Sequence, residues 1–226
     1  MGRMHLQRAI EDPEGPSKII ASEVTDNRYD ALNDFVPLAK KHKKDLVLIN
    51  PNSYPDNYKA LMNELHGRGG VNDIEVMITF PPIIAEAVEY LATGGVMNIF
   101  AGLKRGETTQ IYPWLIAGSK QIRLIGHSGS GLDDQKEVVS RAIQGILKPE
   151  LSVAAIGGFQ QIYEGIHAMK DNIFPGKIVI YPHVKDFPLT APKDLKGMIP
   201  EAYQALSEGN IWTQDSEMHF LNFGLS

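Results

Sequence analysis

Along the chain, short apolar runs alternate with amphipathic stretches. Lys18-Ile-Ile-Ala-Ser-Glu-Val24, Asp45-Leu-Val-Leu-Ile49, Ile74-Glu-Val-Met-Ile78, Val96-Met-Asn-Ile-Phe100 and Ile122-Arg-Leu-Ile125 read as buried strands. Helical periodicity fills the gaps. Met4 to Ile10 is stopped by Asp12-Pro13, and a helix capped by Thr25 or Asp26 runs to about Lys41 with Tyr29, Leu32, Phe35, Val36 and Ala39 on one stripe. Pro55 opens a helix that ends near His66-Gly67, and Pro82 begins one over 83–92 that Gly94-Gly95 closes. Strands separated by helices of this length need parallel crossovers, so the expected class is α/β with a doubly wound parallel sheet.

The pattern changes after Gly126. Asp133 and Asp134 cap a helix to Leu147, and a short strand over Val153–Ile156 follows. Gly157-Gly158 reads as a helix entry, then come a helix from Phe159 to Met169 and a strand over Gly176–Pro182. The stretch from His183 is richer in Pro, Lys and Asp, with one short helix from Pro200 to Leu206. Trp212 reads as an anchor that packs the tail on the body. The segment after Gly126 is thus an α+β return rather than more of the same winding.

Composition narrows the function. A chain of 226 residues with 43% apolar content can bury the core of one large domain, or of one and a half. A net charge of −5 offers no basic surface to nucleic acid, and Lys40-Lys41-His42-Lys43-Lys44 reads as a solvated helix end. The absence of cysteine excludes disulfides and thiolate-zinc sites in this chain. No apolar run reaches the ~18 residues needed to span a bilayer. The expectation is a cytoplasmic protein with neither nucleic acid nor membrane as partner.

The candidate chemistry begins at the first residues. Gly2 precedes Glu23 by 21 positions, and a helix and a strand lie between them. In a Rossmann unit the last glycine of G-x-G-x-x-G lets the first helix approach the sheet and the pyrophosphate. An acid about 20 residues later accepts hydrogen bonds from the adenosine ribose. The first strand and first two glycines would then precede residue 1. Glu23 would accept the ribose hydroxyls and repel a 2′-phosphate, which favours NAD over NADP; otherwise it pairs with local backbone or Lys18. Arg28, close behind, would soften that preference. Gly2 is either the close-approach glycine or merely the neighbour of a start methionine.

The other strand ends add candidates, because ligands of open α/β sheets bind at the carboxyl ends of strands. Thr79 and Phe80 follow the third strand, where Phe80 contacts adenine or ribose or belongs to a plain turn. Ala101-Gly102-Leu103 follows the fourth, where backbone groups hold the nicotinamide carboxamide or form a simple turn. Ile125, Gly126 and His127 at the fifth would supply further backbone contacts. His127, alone in a Gly-Ser loop, reads as exposed rather than as an acid or base.

Three pieces resemble a known superfamily. Met1-Gly2-Arg3-Met4-His5 is similar to the end of a G-x-G-P-M-G-x-M-H loop. Gly94-Gly95-Val96-Met97-Asn98-Ile99-Phe100-Ala101-Gly102 resembles a strand and loop under nicotinamide, and Gly176-Lys-Ile-Val-Ile-Tyr-Pro182 resembles a closing strand. Together they resemble the medium-chain dehydrogenase/reductase superfamily in its zinc-type alcohol and polyol dehydrogenase branch, and Gly209-Asn-Ile-Trp-Thr213 is similar to the tail of sorbose-phosphate-reductase-like members. The resemblance implies a Rossmann-like sheet missing its first strand over 1–126, a return segment of the catalytic domain over 127–182, and an extension over 183–226. It implies hydride transfer between a carbinol carbon and NAD, with zinc and a polyol or sugar-phosphate substrate in the intact enzyme. In the superfamily a preceding domain supplies the zinc ligands. The seven histidines here are dispersed with no His-x-x-x-His pair, so the chain is a fragment, the product of a late start codon or a degenerate relative; it reads best as a fragment, holding no zinc and inactive alone.

The resemblance also implies a homodimer or higher oligomer. It places Gln110 to Ala117, with Trp114, Leu115 and Ile116, near the edge that pairs across the dimer; alternatively these side chains pack beneath the preceding helix. Two rival functions stay open. One is a non-catalytic nucleotide-binding or dimerisation module. The other is an S-adenosylmethionine methyltransferase, whose terminal antiparallel hairpin residues 131–182 do not resemble.

Overall fold

The computed structural model describes residues 1–126, 129–207 and 210–225. In chain order the elements are α1 (Gly2–Glu11), β1 (Lys18–Ser22), α2 (Asp26–Leu32), α3 (Val36–Lys41), β2 (Asp45–Ile49), α4 (Pro55–Gly67), β3 (Val71–Val76), α5 (Pro81–Ala87) and β4 (Leu91–Ile99). Then come α6 (Pro113–Ala117), β5 (Arg123–Gly126), α7 (Leu132–Ile143), β6 (Val153–Gly158), α8 (Ile162–Lys170), β7 (Lys177–Tyr181), α9 (Pro200–Gln204) and α10 (Gln214–Leu225). The protein is α/β, as its periodicity requires. Its strands form three sheets, β1–β2, β3–β4–β5 and β6–β7. The pairings of β3–β4, β4–β5 and β6–β7 are parallel. For β1 and β2, the Asp45 amide donates to Ser17 O and the Glu23 amide to Ile49 O, so these two also run the same way.

The chain divides into two compact units. The first comprises Met1–Gly2, Ser22–Val24 and Ile49–Glu137. Its central strand is β4, with Ile74 opposite Met97 on one side and Asn98 opposite Ile125 on the other. Val76, Ile84, Val88, Leu91, Met97, Leu115 and Ile122 form the core.

Here the helix expected over 83–92 is shorter. α5 ends at Ala87, a 3-10 turn spans Val88–Tyr90, and β4 already starts at Leu91. Gly94 and Gly95 therefore lie inside a strand and do not close a helix. The β3–β4 register shifts between Val71 and Asp73, as expected of a bulge. Gly94 takes a φ of +75° and its amide reaches Lys120 O at 2.7 Å. A Cβ on Gly95 would meet Ala92 O and Asn72 O at 3.0 Å. A left-handed backbone at Gly94 and close neighbouring backbone at Gly95, not helix termination, are why both are glycine. The third strand is likewise displaced: it runs from Val71 to Val76 and leaves Met77 and Ile78 outside.

The second unit comprises Arg3–Ala21, Thr25–Leu48 and Val138–Ser226. Leu6, Ile10, Ile19, Leu32, Phe35 and Ala39 make one of its cores. The single helix expected to reach Lys41 is broken into α2, a 3-10 turn over Asn33–Phe35, and α3. Pro37, in the first turn of α3, has no N–H to give Asn33 O, so an unbroken helix would lose a bond there. The apolar stripe survives the break, since Leu32, Phe35 and Ala39 are all buried. Arg3 ties this region together: it donates to Ala31 O, Asp34 Oδ2 and Leu151 O and lies 4.8 Å over the Phe35 ring.

The other core of this unit is aromatic. Phe220 is fully buried, with Tyr181 and Phe187 each 4.9 Å away between ring centroids. Trp212 does anchor the tail: it is buried, and its Nε1–H donates to Tyr181 Oη at 3.2 Å. Gly157 and Gly158 are the last residues of β6, and Gly158 is also the N-cap of the 3-10 turn Phe159–Gln161 that leads into α8. A Cβ on Gly158 would stand 2.7 Å from Phe187 N and Val184 O. Helix α10 was not expected, although its start is legible. Thr213 Oγ1 accepts the Ser216 amide at 3.0 Å, and Asp215 and Glu217 occupy the first turn.

Two predictions follow from this aromatic core. Phe220→Ala should lower unfolding free energy by about 3–5 kcal/mol in urea titration, whereas Phe223→Ala, half exposed, should cost far less. The Tyr181 phenol is pushed above its ordinary value of 10.0, first by burial and then by the Glu217 carboxylate. Below the unfolded value this contributes fully to stability, and the contribution fades as the unfolded phenol ionises. The melting temperature should fall above about pH 10, and Tyr181→Phe should make that fall shallower.

Candidate functional site

Four strand ends carry the candidate residues, and the first unit holds most of them. Glu23 follows β1 directly. Its amide donates to Ile49 O at 3.1 Å, and its Oε1 accepts the Val24 amide at 2.9 Å. The carboxylate is thereby held at the strand's exit, partly exposed. Gly2 opens α1, and a Cβ there would lie 3.9 Å from Met77 Cγ. It stands beside the chain that leaves β3.

The exits of β3 and β4 are coupled. The Phe100 and Ala101 amides both donate to Val76 O, at 3.2 and 3.1 Å. Beyond them nothing stands within 4 Å of a Cβ placed on Gly102, so its surroundings are open rather than tight. Leu103 packs back onto the first unit's core. Thr79 and Phe80 are exposed, and Phe80 is the N-cap residue of α5, its carbonyl accepting the Ile83 amide at 3.1 Å. Ile125 is half exposed, and Gly126 ends β5 opposite Ile99. His127 lies outside the described residues.

Arg28 belongs to the second unit, in the first turn of α2, and its Nη2 donates to Asn172 Oδ1. No reading of the sequence singled out Asn172. Asn98 was also missed as a polar feature. Its Nδ2 donates to Glu75 Oε2 at 2.8 Å, while its Oδ1 is buried without a partner. The signal was an amide between Met97 and Ile99 in an otherwise apolar strand.

Other features bound the chemistry. An open hollow of about 690 Å³ lies beside α5, lined by Glu86, Glu89, Gln110 and Tyr112 among others. Nearby, Tyr58 donates to Glu86 at 2.8 Å; burial, then that bond, raises its pKa. Among the described residues no group of three His, Asp or Glu could hold a metal ion. No helix among them is long and apolar enough to cross a membrane.

The stretch from Gln110 to Ala117 needs a correction. Leu115 is fully buried in the first unit's core and so cannot face a partner, whereas Trp114 and Ile116 are about half exposed. A five-residue helix, α6, turns the middle side chain inward and the flanking ones out.

The chain shares its Rossmann-like α/β fold with alcohol and polyol dehydrogenases of solved structure. It is 29% identical to the protein YggP of Escherichia coli K12 over its whole length, which is 55% of that protein. It is 26% identical to a mannitol-1-phosphate 5-dehydrogenase of Aliivibrio fischeri, over 99% of this chain and 54% of that one. The chain thus spans just over half the length of these relatives. Among solved structures, 2R,3R-butanediol dehydrogenase of Bacillus subtilis superposes with a TM-score of 0.58 at 20% identity, over 78% of this chain and 47% of that one. An alcohol dehydrogenase of E. coli CFT073, solved with NADH, gives 0.52 at 18% identity over 68% and 41%. No profile of a known protein family matches the chain.

The α6 correction can be checked directly. Leu115→Lys should destabilise the fold by roughly 3 kcal/mol or more, because it buries an unpaired charge. Ile116→Lys should stay within about 0.5 kcal/mol. Equal melting temperatures for the two variants would refute the assigned burial.

Proposed function

We propose that the chain binds a nicotinamide dinucleotide, as the coenzyme-binding part of an alcohol, polyol or sugar-phosphate dehydrogenase. The observation that carries this is the Glu23 carboxylate, held at the exit of β1 in the same compact unit as Gly2 and the open exits of β3 and β4. Glu23 would hold the adenosine ribose, and the α1 N-terminus at Gly2 the pyrophosphate. Thr79 and Phe80 would flank the adenosine. Backbone groups of Ala101, Gly102, Leu103, Ile125, Gly126 and His127 would orient the nicotinamide. When bound, the nicotinamide supplies the hydride chemistry; the protein's part is to fix the ring and keep it from turning.

Residues 1–126 carry the coenzyme role on this reading, with 127–182 as a return segment and 183–226 as an extension. The mannitol-1-phosphate 5-dehydrogenase relative supports a sugar phosphate as substrate of the intact enzyme. Among the described residues no group of three His, Asp or Glu could hold a zinc ion. The exposed Tyr112, Trp114 and Ile116 support self-association through the α6 face.

The test is direct titration of the protein with NADH and NADPH, read by reduced-nicotinamide fluorescence. NADH should bind more tightly, and Glu23→Ala should weaken it about tenfold, the worth of a charge-assisted hydrogen bond. Equal or tighter NADPH binding by the unmutated protein would sink the assignment of Glu23.

A further inference from the structure

The crossover from β6 through α8 to β7 lies wholly within the second compact unit. Among the described residues β6 is flanked on both sides: it pairs with β7 in parallel, and its Ile156 bridges antiparallel to Thr190. β7 has β6 alone, so no strand stands beside its outer edge. Its sequence, Lys-Ile-Val-Ile-Tyr, suits a strand and carries one charge, at the start. Proteins blunt such edges with charges, proline or a bulge. From Ile178 to Tyr181 there is neither charge nor proline, and the pairing with β6 runs there without a register shift.

The helix beside this edge is also bare. A Cβ on Gly165 would meet Ile180 Cδ1 at 3.6 Å and Ile178 Cγ2 at 3.7 Å, and Ala168 is buried, so that side of α8 rests on β7. A quarter turn further around α8 stand Ile162, Ile166 and Met169, with Phe159 before the helix and Ile173 after it. These five are 37% to 69% exposed. A strand–helix–strand crossover is right-handed, which puts the stripe on the side of β7 away from β6. Apolar stripe and unpaired edge overhang the same space.

We propose that this face pairs with its own copy. Two β7 strands run antiparallel about a two-fold axis at Val179, forming a four-stranded sheet, and the two α8 stripes meet above it. The face is self-complementary, as a two-fold interface requires. The axis sets Ile178 opposite the partner's Ile180, an apolar cross-strand pair. Strands about 4.8 Å apart make each β6–β7 pair about 10 Å wide, which spaces the two helices at the 8–10 Å of packed helices. A foreign strand would satisfy the edge but leave the stripe bare, whereas a second copy covers both. A typical stable interface takes about 800 Å² from each partner. One helix stripe and a five-residue edge reach that order at most, so the dimer is expected in the micromolar range rather than permanent.

The chain has no cysteine, so a single introduced thiol reports only on itself. Ile166→Cys should give a disulfide-linked dimer on a non-reducing gel after mild oxidation. Glu164→Cys, on the opposite side of α8, should not. Association is then measured by sedimentation velocity over a concentration series, in a Trp114→Glu background that silences the α6 face. A monomer–dimer equilibrium is expected, and Ile166→Glu should raise its Kd more than tenfold, because two carboxylates would meet across the axis. Ile166 is half exposed, so this variant should melt with its parent. Deuterium exchange at the amides of residues 178–180 should slow as the dimer forms. A Kd unmoved by Ile166→Glu would place the interface elsewhere, and a raised Kd without slowed exchange in β7 would overturn the strand pairing. A monomer at every concentration would overturn the proposal as a whole and leave the edge to a strand of another polypeptide.

Discussion

The carbonyl oxygen of Val76 is the acceptor on which the candidate site depends. It takes the amides of both Phe100 and Ala101, so the β3–β4 ladder ends there, and both chains must leave the sheet within a residue or two. A carbonyl has two lone pairs and can satisfy two donors. Using both on the two successive amides that follow β4 turns that chain over the end of its neighbour. Residues 77–80 and 101–103 are thereby delivered to one edge, and Leu103 fastens the second segment back to the core. Gly2, beside Met77, meets the same edge. Parallel pairing does the rest, since strands that run one way present their carboxyl ends together.

Much of this was legible. β2 and the helix opened by Pro55 fall almost where proline, glycine and apolar alternation put them, because local signals and burial agree there. Errors gathered where backbone geometry rather than side-chain pattern decides. Gly94-Gly95 reads as a helix stop under any propensity rule, yet the pair lies within β4, where Gly94 takes a positive φ and the backbone of Asn72 crowds Gly95. Gly157-Gly158 does lead into a helix, but at Gly158 the space for a Cβ is taken by the backbone of residues 184–187, distant in sequence. A glycine pair announces that something is close without saying what. Pro37 was visible, but the stripe that continues through it argued for one helix, and only the missing amide shows why there are two.

Glu23 and Gly2 were singled out by their spacing along one crossover, and the structure places both in the compact unit that holds the exits of β3 and β4. The contact of Asn172 with Arg28, across 144 positions, was illegible. Nothing local marks that asparagine except a turn following an amphipathic helix. Leu115 shows the converse. Trp114-Leu115-Ile116 reads as one apolar patch, but a single turn of helix points adjacent side chains apart, so one belongs to the core and two to the surface.

Magnitudes decide how far the charge of Glu23 could set the cofactor preference alone. Two unit charges about 5 Å apart in water interact by roughly 0.8 kcal/mol. A phosphate with nearly two charges doubles that, to about tenfold in affinity. Glu23 is partly exposed, and at physiological salt the Debye length of about 8 Å trims the effect further. Against this, a guanidinium free to grip the phosphate with two charge-assisted bonds would recover as much or more. The carboxylate therefore sets a modest preference by itself, and because it acts through charge alone that preference shrinks as ionic strength rises.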